Sequence, residues 1–306
     1  MDVTIIGSGA MGSLYGGLLA ASDVEVTLVD VWEEHVQAIT TDGLRIDSPT
    51  GAQTIDVAAT TNVSTIDTTD LIIVFVKSTH TRTALDGLPS KFTENTDVLT
   101  LQNGLGNPET IADFVPQENV IAGVTAHGAT LEGPGQIFHA GSGPTTIGRY
   151  FGDSDTRTQT IAELFTTAGI ETDVSVTIQD DLWEKVLVNI GINAPTAIAR
   201  VENGRLVTTE PGEALIETAV AEAARVARSE GCDIRDDVIQ YVKDVAAATG
   251  ENRSSMLQDV EAGRKTEIDY LHGAIVDRAE RNELPAPVNR TLANVVRLTE
   301  IGTDTE

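Results

Sequence analysis

The chain has 306 residues, and its 47 acidic residues outnumber the 20 basic ones, which gives a formal net charge of −27 at pH 7. Such a charge repels phosphate groups and therefore excludes nucleic acids and anionic membranes as favourable partners. The single cysteine, Cys232, excludes an intramolecular disulfide and any metal site built from several cysteines.

The composition also predicts the surroundings in which the protein works. The acids are scattered along the chain, and the hydrophobic fraction of 41% is too high for a disordered acidic protein. An acidic surface with few lysines suits very high salt, so we expect a halophilic source. No apolar run approaches the ~20 residues that span a bilayer, and no signal-peptide pattern opens the chain. We therefore expect a cytoplasmic protein.

Strand-like and helix-like segments alternate in the first half of the sequence. Apolar runs predict buried strands at Val3–Ile6, Glu25–Val29, Leu71–Val76 and Val98–Leu101. Helical patterns follow them at Ser13–Ala21, Glu33–Thr40, Thr81–Leu85 and Pro108–Phe114. Strands and turns then fill Val120–Ile147, before a helix at Thr158–Ala168 and a strand at Glu171–Val176. This alternation predicts an α/β fold with a Rossmann-type, doubly wound parallel sheet.

The pattern after about residue 180 is helical throughout. Helices are predicted at Asp181–Ile192, Pro211–Glu230, Asp236–Thr249, Ser254–Glu261, Thr266–Asn282 and Val288–Leu298. We therefore expect two domains, an α/β domain at residues 1–176 and an all-helical domain at residues 177–306.

A glycine-rich loop joins the first predicted strand to the first predicted helix. It contains Gly7, Ser8, Gly9, Ala10, Met11 and Gly12, which form a G-x-G-x-x-G pattern. In a dinucleotide-binding loop the first glycine makes the tight turn, the second lets the backbone approach a pyrophosphate, and the third lets helix and strand pack closely. The alternative is a glycine turn that binds no ligand.

An acid follows the second predicted strand, at the place where such folds bind the adenosine ribose. Asp30 lies 18 residues after Gly12, and the positions from Val31 to Glu34 contain two carboxylates and no basic residue. A 2′-phosphate would meet only negative charge there, so NADH is favoured over NADPH. The alternative is that Asp30 caps the following helix.

Two further segments follow predicted strands. Lys77 comes directly after one strand and Asn103 after another. Open α/β sheets bind ligands at the carboxyl ends of their strands, although either residue could be an ordinary strand-end residue.

A stripe of polar residues interrupts the apolar helix at 181–192. Lys185, Asn189 and Asn193 are spaced by four residues and share one face. Burying them is costly unless a partner satisfies them, and a desolvated lysine becomes a proton donor near neutral pH. The alternatives are an internal hydrogen-bond network and a lysine that extends to the surface.

These segments together resemble the ketopantoate reductase family, which shares its helical C-terminal domain with 6-phosphogluconate dehydrogenase. The matching segments are Gly7–Gly12, Val76-Lys77, Gln102–Gly104, Thr125–Ala129, Leu182–Lys185, Asn189, Asn193, Asn203-Gly204, Ser254–Asp259 and Thr266–Tyr270. They are collinear and span nearly the whole chain.

The resemblance implies a role for each matching residue. Lys185 would donate the proton and Glu267 would be the catalytic carboxylate beside it. The substrate would contact Lys77, Asn103, Asn189, Asn193, Asn203 and Ser255, in a cleft between the domains. The cofactor would contact the glycine loop, Asp30, Lys77, Asn103, Ala129 and Glu267, and no metal is implied.

Two positions depart from the family pattern. Val31 stands where some relatives carry an arginine that binds the NADPH phosphate, so the preference for NADPH that is usual in the family is not expected here. The proline that follows the polar stripe is Pro195, one place later than usual.

The implied reaction is the reduction of 2-dehydropantoate to (R)-pantoate by NAD(P)H in coenzyme A biosynthesis. The alternatives are reduction of another branched 2-ketoacid or an imine, and a redox sensor that binds NAD(P)H without turnover. A homodimer through Pro211–Glu230 and Thr266–Asn282 is compatible with the sequence, and a helical bundle within the domain explains the two segments equally well.

Overall fold

The computed structural model describes residues 1–66, 68–88 and 92–303. The chain forms two compact units. Unit 1 contains Met1–Gln102 and Asn107–Ile178, and unit 2 contains Asn103–Gly106 and the chain from Gln179 onward. Among the described residues, no helix is both long enough and apolar enough to cross a membrane.

An eight-stranded sheet forms the centre of unit 1. Its strands are β1 (Val3–Ile6), β2 (Val26–Val29), β5 (Ala58–Thr60), β6 (Leu71–Val74), β7 (Asp97–Thr100), β8 (Val120–Thr125), β11 (Thr145–Arg149) and β12 (Thr172–Val174). Their order is β12-β11-β8-β7-β6-β1-β2-β5, and every neighbouring pair is parallel except β8 with β11. The predicted Rossmann-type sheet is confirmed, with one antiparallel pair added.

The strands at the centre of this sheet are apolar because both of their faces are covered. Every residue of β1, β6 and β7 is buried, which is the reason they are recognisable as unbroken apolar runs. The helices of unit 1 are α1 (Ala10–Ala20), α2 (Glu33–Asp42), α3 (Thr81–Asp86), α4 (Asn107–Ile111) and α5 (Thr156–Thr167).

A second sheet of four strands accompanies the first. It contains β3 (Leu44–Ser48), β4 (Gly51–Ile55), β9 (Gly128–Gly133) and β10 (Gln136–Gly141), in the order β4-β3-β10-β9. The sequence analysis predicted no strand at residues 44–60, where β3, β4 and β5 lie. Four of the five residues of β4 are exposed, so this strand shows no apolar face by which a sequence pattern could identify it.

Unit 2 is helical in its described part. Its helices are α6 (Ile178–Ala199), α7 (Glu210–Ser229), α8 (Val238–Ala248), α9 (Ser255–Glu261), α10 (His272–Arg281) and α11 (Pro287–Thr303). The first of them continues seven residues beyond its predicted end at Ile192, with Pro195 inside it. The Thr196 hydroxyl there donates to the Ile192 carbonyl oxygen at 2.7 Å.

The single helix predicted at Thr266–Asn282 is wrong in its first part. Ile268–Tyr270 forms one turn of 3-10 helix, and Leu271, with φ −106° and ψ −97°, leaves the helical region before α10 begins. The Thr266 hydroxyl accepts a hydrogen bond from the Ile268 N–H at 3.2 Å, which favours a tight turn over a continuous helix.

A buried ionic network joins β7, β11 and α5 in unit 1. The Asp97 carboxylate accepts hydrogen bonds from Arg149 at 2.5 Å and from Arg157 at 2.7 Å, and the Asp97 and Arg149 side chains are only 3% and 5% exposed. Arg149 also binds Asp155, which accepts from the Thr158 N–H at the start of α5. Removing one partner would leave a buried charge less well compensated.

We expect Asp97→Asn to lower the free energy of unfolding by about 3–5 kcal/mol, because the buried Arg149 then keeps only the half-exposed Asp155 as its carboxylate partner. Asp113→Asn is the matched control, since Asp113 pairs with Arg82 at the surface and both side chains are more than half exposed. Its effect should stay within about 1 kcal/mol. Urea unfolding in molar potassium chloride measures both, and equal effects would contradict the prediction.

Candidate active site

The glycine loop of unit 1 lies between β1 and α1, as its pattern predicts. Gly7 has a φ of +94°, and a Cβ there would lie 2.6 Å from the backbone nitrogen of Val76. A Cβ on Gly12 would lie 2.0 Å from the Gly7 carbonyl oxygen. The fold itself therefore requires glycine at both positions. Ala10 and Met11 form the first turn of α1.

Gly9 has a different reason to be glycine. It precedes α1 with φ −61° and ψ −163°, which any residue can adopt, and a Cβ built on it meets no atom within 4 Å. Nothing in the fold requires the absence of a side chain there. A pyrophosphate that approaches the N-terminus of α1 does require it, so the loop fits a dinucleotide.

Asp30 follows β2 and is linked to the glycine loop. One carboxylate oxygen accepts a hydrogen bond from the Trp32 N–H at 3.0 Å, and the other accepts from the hydroxyl of the buried Ser8 at 3.4 Å. The residue that caps α2 is Trp32. Asp30 therefore does not cap this helix. The side chain of the next residue, Val31, is 92% exposed.

Lys77 lies in unit 1, three residues after the end of β6. The neighbouring backbone is held by Gln102, a buried residue that sequence analysis did not assign to the site. Its side-chain amide donates to the Val76 carbonyl oxygen at 2.6 Å and to the Thr81 hydroxyl at 2.8 Å. The sequence feature that could have identified Gln102 is its position as a polar residue directly after a predicted buried strand.

Ala129 lies in β9, paired with His139 of β10. Beside it, the His127 and His139 rings stack and their Nδ1 and Nε2 atoms lie 3.2 Å apart. Burial lowers the pKa of His127, and the neighbouring His139 lowers it further. The sequence did not predict that the two histidines pair.

The polar stripe of unit 2 lies on α6. Asn193 is buried, while Lys185 and Asn189 are partly buried among the apolar residues of the helix. Desolvation lowers the pKa of Lys185 from 10.5 to about 8, although the carboxylate of Glu267 opposes this effect. The lysine can therefore change its protonation state near neutral pH, as a proton donor must.

Glu267 also meets Asn103, whose side-chain amide donates to the carboxylate at 3.4 Å. Two features bring Asn103 to this position. The Leu105 N–H donates to the Tyr270 carbonyl oxygen at 2.9 Å, and Gly104 lies so close that a Cβ would be 2.5 Å from the same oxygen. Its φ of +89° likewise favours glycine. Unit 2 thus joins Asn103, Lys185 and Glu267 from three separate segments.

Two further predicted substrate residues lie in unit 2. Asn203 follows α6, and Ser255 is the first residue of α9. Asn203 is buried, and its Nδ2 donates to the Thr249 hydroxyl at 3.0 Å, while its Oδ1 has no hydrogen-bond partner among the described residues. A buried carbonyl oxygen without a donor fits a residue that accepts a hydrogen bond from a ligand hydroxyl. Ser255 is exposed in the first turn of α9.

The family resemblance assigned Ser255 to the substrate and gave its neighbour Ser254 no role. Ser254 caps the helix by accepting from the Leu257 N–H at 3.1 Å, and its hydroxyl lies 2.8 Å from the Thr196 hydroxyl of α6. Ser254 is therefore structural and ties α9 to the helix that carries the polar stripe. Ser255 keeps its hydroxyl at the surface.

Comparison with known proteins finds relatives along nearly the whole chain. The sequence model described as ketopantoate reductase PanE/ApbA matches residues 3–152, and the model of its C-terminal part matches residues 177–300. The 2-dehydropantoate 2-reductase of Halobacterium salinarum is 45% identical over 98% of this chain and 99% of its own length. That of Pyrococcus horikoshii is 36% identical over 98% of both chains.

Solved structures of other proteins share this fold over nearly the whole chain. A D-mandelate dehydrogenase bound to NADH and anilino(oxo)acetate covers all of both chains, with a TM-score of 0.95 and 31% identity. A PanE/ApbA family ketopantoate reductase from Ralstonia eutropha has a TM-score of 0.91 and 34% identity over 99% of this chain and 100% of its own.

The fold, the glycine loop and these relatives define an oxidoreductase of the NAD(P)H-dependent class. The chain belongs to the ketopantoate reductase family, as its motifs predicted. The halophilic source predicted from the charge agrees with the relative from Halobacterium.

We expect Gly9→Ala to weaken NADH binding about 10-fold or more, because the added methyl group would occupy the approach of the pyrophosphate. The melting temperature should not change, since that methyl group meets no protein atom within 4 Å. Gly133→Ala, which adds a methyl group in equally open space, is the control. Unchanged affinity in Gly9→Ala, measured by NADH fluorescence titration, would contradict the role of the loop.

Proposed function

We propose that this chain reduces the C2 ketone of 2-dehydropantoate to give (R)-pantoate, a step of pantothenate and coenzyme A biosynthesis. The observation that carries the proposal is the partly buried Lys185 beside the Glu267 carboxylate, on a helix whose other polar residues share its face. The curated relatives that span nearly the whole chain have the same activity in their names.

The reaction needs a proton at the oxygen of the ketone. When bound at the glycine loop, reduced nicotinamide would supply the hydride for the carbonyl carbon. The Lys185 ammonium stabilises the negative charge that develops on the oxygen and then donates its proton, which leaves a neutral amine and an alcohol. The amine takes its next proton from solvent. Glu267 keeps the ammonium form populated in a place where burial disfavours it.

The remaining polar residues of unit 2 supply groups that suit a hydroxylated 2-ketoacid. The amides of Asn189 and Asn193 can donate to its carboxylate, and the unpartnered Oδ1 of Asn203 can accept from its hydroxyl. Ser255 offers a further exposed hydroxyl. Unit 1 contributes the glycine loop, Asp30, Lys77 and Ala129 to the proposed cofactor site.

We expect Lys185→Ala to lower kcat by about 10²–10⁴-fold, because the proton donor is lost, and to leave NADH binding intact. In the unmodified enzyme, kcat should fall as the pH rises above about 8, where Lys185 loses its proton. Lys243→Ala is the control for removing a lysine. Lys243 is not among the residues assigned to the site, and it forms ion pairs with Glu213 and Glu217.

The assay follows NADH absorbance with 2-dehydropantoate in molar potassium chloride. Phenylglyoxylate, an aromatic 2-ketoacid related to mandelate, is the rival substrate, because a D-mandelate dehydrogenase shares this fold. Full turnover by Lys185→Ala would refute the role of the lysine. Faster reduction of phenylglyoxylate would assign a different 2-ketoacid to the site.

NADH rather than NADPH is part of the proposal. Asp30 binds the Ser8 hydroxyl of the glycine loop, where it can accept from a ribose hydroxyl, and Glu33 and Glu34 are exposed just beyond it. A 2′-phosphate at this place would be repelled by the carboxylates and would find no cation at position 31.

We expect kcat/KM to be higher with NADH than with NADPH, and Val31→Arg to raise the value for NADPH about 10-fold by supplying a guanidinium for the phosphate. Val31 is 92% exposed, so the arginine fits without repacking. Val176→Arg, at a valine that is 84% exposed elsewhere in unit 1, controls for the added charge. Preference for NADPH in the unmodified enzyme would refute the assignment of Asp30.

A cytoplasmic location and a homodimer are also parts of the proposal. The reaction consumes reduced nicotinamide, whose pool is intracellular. Light scattering of the purified protein in molar potassium chloride gives its oligomeric state directly.

A further inference from the structure

The segment that carries Glu267 contacts α11 at three places. The Glu300 carboxylate accepts from both the N–H and the hydroxyl of Thr266, at 2.8 and 2.6 Å. The Arg297 guanidinium pairs with Asp269, at 2.7 and 2.8 Å. Glu267 lies between these two contacts, and α11 therefore holds the chain on both sides of it.

The third contact is buried. The Nδ1 of His272 lies 2.9 Å from the Oδ1 of Asn289 on α11. The Asn289 amide nitrogen donates to the Glu222 carboxylate and to the Ala219 carbonyl oxygen. Its oxygen is therefore the atom that accepts from His272. Burial lowers the pKa of His272 to about 4, so the imidazole is neutral and donates from Nδ1.

This arrangement leaves little freedom to the turn between Thr266 and His272. Gly273 leaves room for the Arg297 side chain, because a Cβ at position 273 would lie 3.0 Å from the Nη2 atom of Arg297. The Glu267 carbonyl oxygen also accepts from the N–H groups of Tyr270 and Leu271. The same turn binds Leu105, in the segment that carries Asn103.

We propose that α11, through Glu300, Arg297 and Asn289, is the element that positions the Glu267 carboxylate against Lys185. The three residues act through their contacts with residues 266–272, so they are positioning residues. The inference rests on the proposed role of Lys185 as the proton donor. The inference adds to the proposed site residues that lie outside the polar stripe. These residues influence the pKa of Lys185.

The charged groups around the turn determine which variants are informative. Arg264, Lys265, Asp269, Arg297 and Glu300 line a cavity of about 380 Å³ beside it. Arg264 pairs with Asp259 at 2.9 Å. Glu267 is the charged group that raises the pKa of Lys185 against desolvation. A variant at position 300 must therefore separate the loss of a hydrogen-bond acceptor from the loss of a charge.

Glu300→Ala removes both the acceptor and the charge, whereas Glu300→Gln keeps an oxygen that can accept from Thr266 and removes only the charge. Arg290→Ala is the matched control on the same helix, because Arg290 forms an exposed ion pair with Glu280. Thr266→Val, nearly isosteric, removes the hydroxyl and is the second variant if Glu300→Ala does not fold.

The direct measurement is the pKa of the Lys185 amino group by NMR of protein labelled with ¹³C at lysine Cε. The chain has only five lysines, and Lys185→Met assigns the signal. This titration needs no turnover, so it tests the positioning even if the enzyme reduces another ketoacid. The pH profile of kcat then tests whether the same change reaches the reaction.

We expect Glu300→Ala and Thr266→Val to lower the pKa of Lys185 by about 0.5 or more, because the displaced carboxylate stabilises the ammonium less well. The descending limb of kcat should move to lower pH by the same amount. Glu300→Gln and Arg290→Ala should leave both unchanged.

Two results would overturn the proposal. Equal decreases in Glu300→Ala and Glu300→Gln would mean that the charge at position 300 acts directly. A lower melting temperature with no change in the pKa of Lys185 would mean that α11 only stabilises the fold.

Discussion

The reaction that we propose depends on one balance, between the desolvation of Lys185 and the field of the Glu267 carboxylate. Burial on α6 lowers the pKa of the lysine to about 8, and Glu267 prevents a further decrease. Without the burial the lysine would hold its proton too tightly to give it up, and without the carboxylate it would lose it before the reaction. Helix α6 buries the Lys185 amine, and the turn at residues 266–272 holds the Glu267 carboxylate beside it.

Glycine serves two different purposes in the two units. In unit 1, Gly7 and Gly12 are required by close packing within the fold, while Gly9 leaves the backbone open at the N-terminus of α1. In unit 2, Gly104 lets a four-residue segment dock against Tyr270 and so delivers Asn103 to Glu267. The cofactor binding and the catalysis that we propose thus both rely on backbone approaches that a Cβ would prevent.

The sequence predicted the elements whose physics is local. The strand Val3–Ile6 has the bounds predicted for it, because a fully buried strand is a continuous apolar run. The polar stripe was recognisable because three polar residues on one face of an apolar helix need a partner. The exposed strand Gly51–Ile55 had no such signal. The break before α10 also escaped prediction, since Thr266 and its partner Glu300 are 34 residues apart.

By itself, therefore, the sequence determined the class of fold, the glycine loop, the acid at position 30 and the lysine with its two asparagines. Each of these features depends on the spacing of residues within one segment, which can be read directly from the sequence. Only the tertiary structure decided that Asn103 and Glu267 meet, that Ser254 caps a helix while Ser255 stays exposed, and that α11 holds the turn at residues 266–272. These facts depend on contacts between segments far apart in the chain, whose distances no periodicity encodes.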